Sequence, residues 1–410
     1  MSIMYTVLPD IIKQMMKERN IEQFKFFIDG GTNNQDGYMG EIVFFHVVTN
    51  NNERLNLVLK SAKAQEDLKN ILSADILYER ELNMYTIVIP TLKNFAERNN
   101  LLEMDKFIPR LWFAEKHSNQ VNIVLENLKL RNFHIHDRRK PMDSSHMKVL
   151  FETYGKWHGI SMAFRDQYPR HFSKLLENWM DPRLKLIQSF GLVKLYKKEL
   201  GIIKRMLAER ERDDLLKIFD GVENEIESIL FRKNLDQSDS LIISHGDNWS
   251  NNYLFKYEGS DGDYKPNQVY LLDFQLSRLD SPALELSSTL YNMGDRHVFA
   301  DFNNLLTIYH KSLTETLKIL GSDAKVLFAM DDLKRHWKKY GLFSVLNSFV
   351  YLRIALCEAE EAPDLSKMAE NGEDLDGAFS FETKNMQTFW QRVLDIFIHY
   401  AEFCNQLSIE

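Results

Sequence analysis

The chain contains ISHGDNWSNNYLF at residues 243–255 and, after a polar segment, VYLLDFQ at residues 269–275. In both segments, an apolar run of the kind that forms a buried strand leads to side chains that can bind metal or accept a proton. Asp247 and Asn252 follow the first run, and Asp273 ends the second. Because short buried strands hold side chains on a rigid base, we predict that these three residues belong to one site.

These residue types suit phosphoryl transfer from magnesium-ATP, which needs a positioned hydroxyl nucleophile and metal ions that bridge the nucleotide phosphates. Asp247 can accept the proton of an incoming hydroxyl. Asn252, five residues later, can offer its amide oxygen to a metal, and Asp273 would be the principal metal carboxylate, since Mg²⁺ prefers oxygen ligands. The pattern therefore predicts a kinase with ATP and Mg²⁺ as cofactors.

A His-x-Asp triplet alone is better explained by an ordinary capped turn whose histidine makes hydrogen bonds. The joint pattern is more specific, because an Asn follows the Asp by five residues and a second apolar run then ends in Asp-Phe. It resembles the ecdysteroid kinase-like family, also called the CHK kinase-like family. The residues that carry the resemblance are His245-Gly246-Asp247, Trp249, Asn251, Asn252, Asp273-Phe274-Gln275 and Ser281-Pro282.

The resemblance implies an α+β, protein-kinase-like fold with two lobes, similar to aminoglycoside and choline phosphotransferases. A small antiparallel-sheet N-lobe, residues 1–126, would bind nucleotide. A larger, mostly helical C-lobe, residues 127–410, would carry the catalytic loop and the acceptor-binding helices. The chain departs from the family at Glu285-Leu286, where Asp-Leu is usual.

Local patterns agree with this division. Two apolar runs, 41–48 and 55–60, flank the turn sequence TNNNE and should pair as an antiparallel hairpin. From about residue 145 onward helical spacing predominates, broken by the two catalytic strands and a hairpin loop at 257–267. With 410 residues and 44% apolar composition, the chain can bury a sizeable core.

Lys60 ends the second run of this hairpin. A lysine at a strand end is commonly a surface residue whose stem packs on apolar neighbours. The resemblance favours another role for Lys60, contact with the α- and β-phosphates of ATP. Such a lysine needs an acidic partner, and the resemblance places it at Glu81; Glu79 is the alternative, two residues away on the same helix.

The resemblance implies that two further segments contact the nucleotide. Gly37, Tyr38 and Gly40 lie in the phosphate-covering loop, where glycine permits close backbone approach to phosphate oxygens. A flexible turn with no ligand is the alternative. The backbone near Glu126 and Leu128 would meet the adenine edge.

Composition limits the other possibilities. A formal charge of −8 provides no electrostatic footprint for nucleic acid, and the basic residues 138–140 are predicted to form a solvated loop. Cys357 and Cys404 are too few for a disulfide scaffold, which fits a reducing cytoplasm. We see no secretory leader and no run of about 18 apolar residues that could cross a bilayer. We therefore expect a cytoplasmic protein.

The resemblance implies a small-molecule hydroxyl acceptor, an ecdysteroid or a related lipophilic alcohol. A choline- or ethanolamine-like amine is the alternative, and a catalytically inactive binding protein is a third possibility. Aromatic and methionine side chains of the C-terminal half are compatible with a sterol wall or, with carboxylates, a quaternary cation site. They include Phe172, Trp179, Met180, Tyr291, Met293, Tyr340, Phe343 and Tyr351.

Overall fold

The protein is represented by a computed structural model. The structure describes residues 7–31, 41–63, 74–117, 120–177, 179–233, 235–236, 239–260, 264–358, 360–371 and 375–407.

A five-stranded antiparallel sheet forms the N-terminal lobe, with strand order β1-β2-β3-β5-β4. On β2, burial alternates through Val43, Phe45 and Val47, so one face of the sheet is apolar and packs with the first helix. The predicted hairpin is confirmed, because β2 and β3 pair with Ile42 opposite Lys60. The strands are β1 Phe24–Gly31, β2 Glu41–Thr49, β3 Arg54–Lys63, β4 Leu111–His117 and β5 Gln120–Glu126.

Three helices accompany this sheet. Helix α1, Leu8–Lys17, covers its apolar face with Leu8, Ile12 and Met16. Helix α2 continues through one π-helical turn into α3. Helix α3 begins at Ile89 and has Pro90 in its first turn. The bounds are Ala74–Asn83 for α2, Met84–Val88 for the π-helical turn and Ile89–Arg98 for α3.

The C-terminal lobe is mainly helical, with Trp157 and Trp337 fully buried in its core. Four of its helices pack in pairs, α4 on α12 and α10 on α14. Gly155 permits the first pairing, since a Cβ atom there would lie 2.6 Å from Ser312 Cβ. The helices are α4 Ser144–Gln167, α5 Pro169–Leu175, α6 Arg183–Ser189, α7 Leu192–Ala208, α8 Asp213–Leu216, α9 Val222–Leu230, α10 Pro282–Met293, α11 Arg296–Phe299, α12 Phe302–Ile319, α13 Ala324–Leu327, α14 Met330–Leu356, α15 Leu365–Glu370 and α16 Met386–Gln406.

The C-terminal lobe also contains two small sheets, with strand orders β6-β8-β9 and β10-β7. The prediction of a loop across 257–267 was wrong at both ends, because β8 and β9 stay paired there, with Tyr257 opposite Pro266 beyond a register irregularity. Backbone pairing prevails over the turn-forming composition of this segment. The strands are β6 Phe133–Ile135, β7 Ile242–Ser244, β8 Tyr253–Glu258, β9 Lys265–Leu271 and β10 Arg278–Asp280.

The basic residues at 138–140 do more than the predicted solvated loop. Arg138 donates to the carbonyl oxygens of Ala355 at 3.1 Å and Cys357 at 3.0 Å, and also to that of Ile354. These carbonyls lie at the C-terminal end of α14, where a cation satisfies acceptors that the helix itself leaves open. Arg138 thus anchors α14. In the described part of the chain, no helix is long and apolar enough to cross a membrane.

Candidate active site

Lys60, Glu81 and Asp273 meet at the junction of the two lobes. Lys60 Nζ lies 2.7 Å from Glu81 Oε2 and 2.8 Å from Asp273 Oδ2. The Glu81 side chain is only 3% exposed, so this contact is largely shielded from water. Of the two glutamates considered, Glu81 is the one placed against Lys60, whereas Glu79 pairs with Lys116. Strand β3, helix α2 and the turn after β9 are therefore joined through one ammonium group.

The charges in this contact do not cancel, since one lysine faces two carboxylates. Burial opposes the charge of Lys60, but the carboxylates of Asp273 and Glu81 outweigh it and raise the pKa of the lysine. Burial also raises the pKa of Glu81, and the nearby Asp273 carboxylate adds to this effect against the lowering by Lys60. The lysine stays protonated, and the negative charge in excess favours a cation beside Asp273.

Asp273 combines an uncommon backbone conformation with a carboxylate that could bind a metal ion. Its backbone is in the left-handed region with φ 64°, a conformation that few non-glycine residues adopt and that is enriched at functional sites. Its Oδ2 contacts Lys60, while its buried Oδ1 has no hydrogen-bond partner among the described residues. A buried carboxylate oxygen without a donor fits coordination of a hard cation such as Mg²⁺.

Asp247 and Asn252 contact one another on the neighbouring loop. Asn252 Nδ2 donates to Asp247 Oδ2 at 2.8 Å and to the Asp247 carbonyl oxygen at 3.0 Å. This orientation commits the amide nitrogen to Asp247, so the amide oxygen is the atom of Asn252 that could bind metal. Burial raises the pKa of Asp247, and the charge of Asp273 raises it further. A carboxylate with a raised pKa is better matched to accepting a proton.

Tyr351 is a member of this site that no motif identified. Its hydroxyl donates to Asp247 Oδ1 at 2.7 Å from helix α14, 104 residues further along the chain. The sequence gives it only as one aromatic residue among many in the C-terminal half. Long-range contacts of this kind leave no local spacing signal, so a single sequence cannot identify them.

Glu285, the residue at which the chain departs from the family pattern, supports the loop that carries Asp247. Its side chain is fully buried and accepts hydrogen bonds from the backbone N–H of His245 at 3.1 Å and of Gly246 at 2.9 Å. His158 Nε2 lies 2.9 Å from the same carboxylate. Burial opposes ionisation, but the hydrogen bond and charge of His158 lower the pKa of Glu285. Glu285 thus remains an acceptor for the loop amides.

The motif histidine joins the two segments of the site. His245 Nε2 lies 2.6 Å from the carbonyl oxygen of Leu272, to which it donates, and its Nδ1 accepts the backbone N–H of Asp247 at 3.3 Å. The next residue, Gly246, has φ 89°, and a Cβ atom there would lie 2.2 Å from the Leu276 carbonyl oxygen. Only glycine fits this close approach.

The remaining predicted residues are those expected to contact nucleotide. Gly37, Tyr38 and Gly40 are outside the described residues. Glu126 ends strand β5, and Leu128 begins a short 3₁₀ turn next to it. The N–H of Glu126 donates to the Arg110 carbonyl oxygen at 3.1 Å, and that of Asn127 to the Asn56 carbonyl oxygen at 2.9 Å.

The fold, a five-stranded antiparallel sheet followed by a mainly helical part, is that of a two-lobed, kinase-like protein, which confirms the predicted fold class. The family model described as the ecdysteroid kinase-like family matches residues 34–322, more than half of the chain, and the protein belongs to that family. Membership supports a small-molecule phosphotransferase. No curated protein matches the chain significantly.

Two solved structures of aminoglycoside phosphotransferases are remotely similar. A mutant aminoglycoside 2'-phosphotransferase IIIa in complex with GDP is 10% identical with a TM-score of 0.36, over 93% of this chain and 98% of that chain. Aminoglycoside-3'-phosphotransferase of type VIII is 11% identical with a TM-score of 0.30, over 84% of this chain and 99% of that chain. At these values neither structure informs the acceptor.

The role of Glu285 leads to a stability prediction. In Glu285→Gln, one carboxylate oxygen becomes an NH₂ group that faces N–H donors, so buried donors lose their acceptor. We expect a loss of about 1–3 kcal/mol in the free energy of unfolding, measured by urea denaturation. The matched control is Glu152→Gln on α4, whose half-exposed carboxylate pairs with Lys156; its effect should stay within about 0.5 kcal/mol. Equal stability of both variants would contradict the supporting role.

Proposed function

We propose that the protein transfers the γ-phosphate of ATP to a hydroxyl group of a small lipophilic alcohol. The observation that carries this proposal is the contact of Lys60 with Glu81 and Asp273, together with Asp247 and Asn252 on the adjacent loop. In phosphoryl transfer, a protein mainly positions the reactants and stabilises charge. A buried cation, an open carboxylate oxygen and a separate proton acceptor are the groups that this task requires.

Asp273 and Asn252 are the residues that would hold Mg²⁺. The fit rests on Asp273 Oδ1, which is buried and has no donor among the described residues, and on the amide oxygen of Asn252, whose nitrogen is already directed at Asp247. When bound, the cation neutralises phosphate charge. Lys60, oriented by Glu81, would contact the α- and β-phosphates.

Backbone groups would recognise the adenine edge. The amides of Glu126 and Asn127 are already donated within the lobe, so recognition would fall to the Glu126 carbonyl and the Leu128 amide. We retain Gly37, Tyr38 and Gly40 as the proposed phosphate cover. Nucleotide would then bind to residues 1–126 and the neighbouring turn, and residues 127–410 would supply catalysis and acceptor binding.

Asp247 would act as the proton acceptor. As the acceptor oxygen forms its bond to the γ-phosphorus, its proton would pass to the Asp247 carboxylate and ADP would leave. Asn252 and Tyr351 hold the two oxygens of this carboxylate in place. An inactive binding protein is disfavoured, because the positions for base, metal ligands and phosphate-binding lysine are all filled.

Buried arginines near Tyr351 support a neutral acceptor over a choline-like amine. Arg183 is only 7% exposed, lies over the Phe343 ring at 4.6 Å, and has an Nη1 with no hydrogen-bond partner among the described residues. Arg278 donates to the Gly246 carbonyl oxygen at 3.0 Å, directly before Asp247. A quaternary ammonium group needs carboxylates and aromatic faces, and positive charge here would repel it. The network joins Arg183, Arg232 and Arg278 with two carboxylates, Asp181 and Asp280.

The proposed metal site predicts that nucleotide binding depends on magnesium through Asp273. Carboxylate and phosphate repel one another unless a cation lies between them, so Asp273→Asn should abolish the gain in ATP affinity that magnesium gives the wild type. Titration of both proteins with ATP, with and without magnesium, measures this. The control is Asp301→Asn, titrated in the same way, which changes a partly exposed carboxylate that pairs with Lys148. Equal affinities under all four conditions would remove Asp273 from the site.

The proposed base predicts a different response at Asp247. Asp247→Asn keeps the size of the side chain but removes the proton acceptor, so turnover should fall by roughly two to four orders of magnitude while ATP affinity changes little. Lys60→Ala should weaken both ATP binding and turnover. Near wild-type turnover in Asp247→Asn would refute the assignment.

The acceptor class predicts a substrate preference. A steroid alcohol such as ecdysone should support ADP formation with a higher kcat/KM than choline or ethanolamine, because the acceptor side combines aromatic surface with buried positive charge. Added choline should not inhibit. A coupled ADP assay over steroids, amines and plant-derived alcohols measures this. Efficient use of choline without any response to hydrophobic alcohols would overturn the acceptor class and leave the kinase proposal standing.

A further inference from the structure

Both oxygens of the Asp247 carboxylate already hold a hydrogen-bond donor. Asn252 Nδ2 donates to Oδ2 at 2.8 Å, and the Tyr351 hydroxyl donates to Oδ1 at 2.7 Å. Asn252 belongs to the proposed metal side of the site, which places Oδ2 on that side. With Asn252 as metal ligand, Oδ1, the oxygen bound by Tyr351, would be the one that faces the acceptor.

Tyr351 is a donor in a constrained position. Burial raises the pKa of its phenol well above the ordinary value, and the Asp247 carboxylate raises it further, while Arg278 and Arg183 act in the opposite direction. The phenol therefore keeps its proton and can donate to Asp247. Its helix α14 is anchored by Arg138, which donates to the carbonyl oxygens at the end of that helix.

We propose that the Tyr351 hydroxyl occupies the acceptor-side oxygen of Asp247 until an acceptor hydroxyl replaces it, and that this contact limits phosphoryl transfer to water. The proposal rests on the kinase function proposed above. It makes Tyr351 a residue that acts on the reaction through Asp247, and Tyr351 lies beyond the 34–322 segment matched by the family model.

The competing reaction is hydrolysis of ATP. A water oxygen forms a bond to the γ-phosphorus, the bond from that phosphorus to the β–γ bridging oxygen breaks, and a water proton passes to the Asp247 carboxylate. The products are ADP and inorganic phosphate. For this to occur, water has to compete with a hydrogen bond to an ionised acceptor, which is stronger than a neutral one.

A lipophilic alcohol can meet this cost in a way that water cannot. Burying its apolar body releases free energy remote from the reacting hydroxyl, and an enzyme can use such binding energy to rearrange groups at the reacting centre. Water has no apolar body to bury. Tyr351 would therefore discriminate between the two nucleophiles through displacement from Asp247.

The test compares rates of ADP formation from magnesium-ATP in the absence of any alcohol. Tyr351→Phe removes the hydroxyl and keeps the ring, so the rate should rise about tenfold over wild type, the size expected for loss of one hydrogen bond to a charged group. The added Asp247→Asn change should abolish this gain. Tyr196→Phe is the matched control, because it removes a buried hydroxyl that donates to Asn347 of the same helix at 2.9 Å; its rate should equal that of wild type.

A Tyr351→Phe rate equal to or below wild type, with magnesium-ATP affinity retained, overturns the proposal, because the phenol would then only support the fold or the base. An equal rise in Tyr196→Phe overturns it as well. Thermal melting checks folding, and Tyr351→Leu replaces the variant if Phe is not accommodated. Failure of ecdysone and the other alcohols as acceptors would count against the proposed function, whereas the hydrolysis comparison does not depend on them.

Discussion

The ammonium group of Lys60 is the contact on which the site depends, since it joins a strand, a helix and a turn that are far apart in the chain. Buried ion pairs contribute little net stability, because desolvation offsets their attraction. Removing one partner is costly, since a buried charge is then left unpaired. The neighbouring Arg80 adds a second link by donating to the Met180 carbonyl oxygen at 2.8 Å and to that of Ser277. Helix α2 is thus linked to the larger lobe through both Arg80 and Glu81.

Features with a local cause could be predicted from the sequence. The hairpin of β2 and β3 follows from two alternating runs around a turn, and its register places Lys60 within β3, opposite Ile42. Asp247, Asn252 and Asp273 were predicted to share one site because each lies beside a short apolar strand, and the structure brings them together. His245 explains part of this spacing, because its ring connects the two segments through the Leu272 carbonyl.

Features that depend on distant partners could not be predicted. Glu285 lies 40 residues after His245, and Tyr351 lies 104 residues after Asp247, so neither contact has a periodicity. Strand β10 is three residues long and forms only because β7 offers it a backbone edge. The positions of these residues depend on helix α10, which packs on β7 and on α14, and such packing is a property of the whole lobe. The same limit applies to the buried arginine network.

Two aspartates of one site acquire different chemistry from their surroundings. Asp273 Oδ2 contacts Lys60, and the buried Oδ1 has no donor among the described residues, so the environment of Asp273 favours a cation. Asp247 has a donor on each oxygen, and burial together with Asp273 raises its pKa, so its environment favours proton transfer. Two carboxylates of one site can take different roles when their surroundings differ. The hydrogen bonds from Asn252 and Tyr351 to Asp247 contribute to this difference. The difference between the two carboxylates therefore depends on an amide donor and a phenol donor, which a search for charged residues alone would miss.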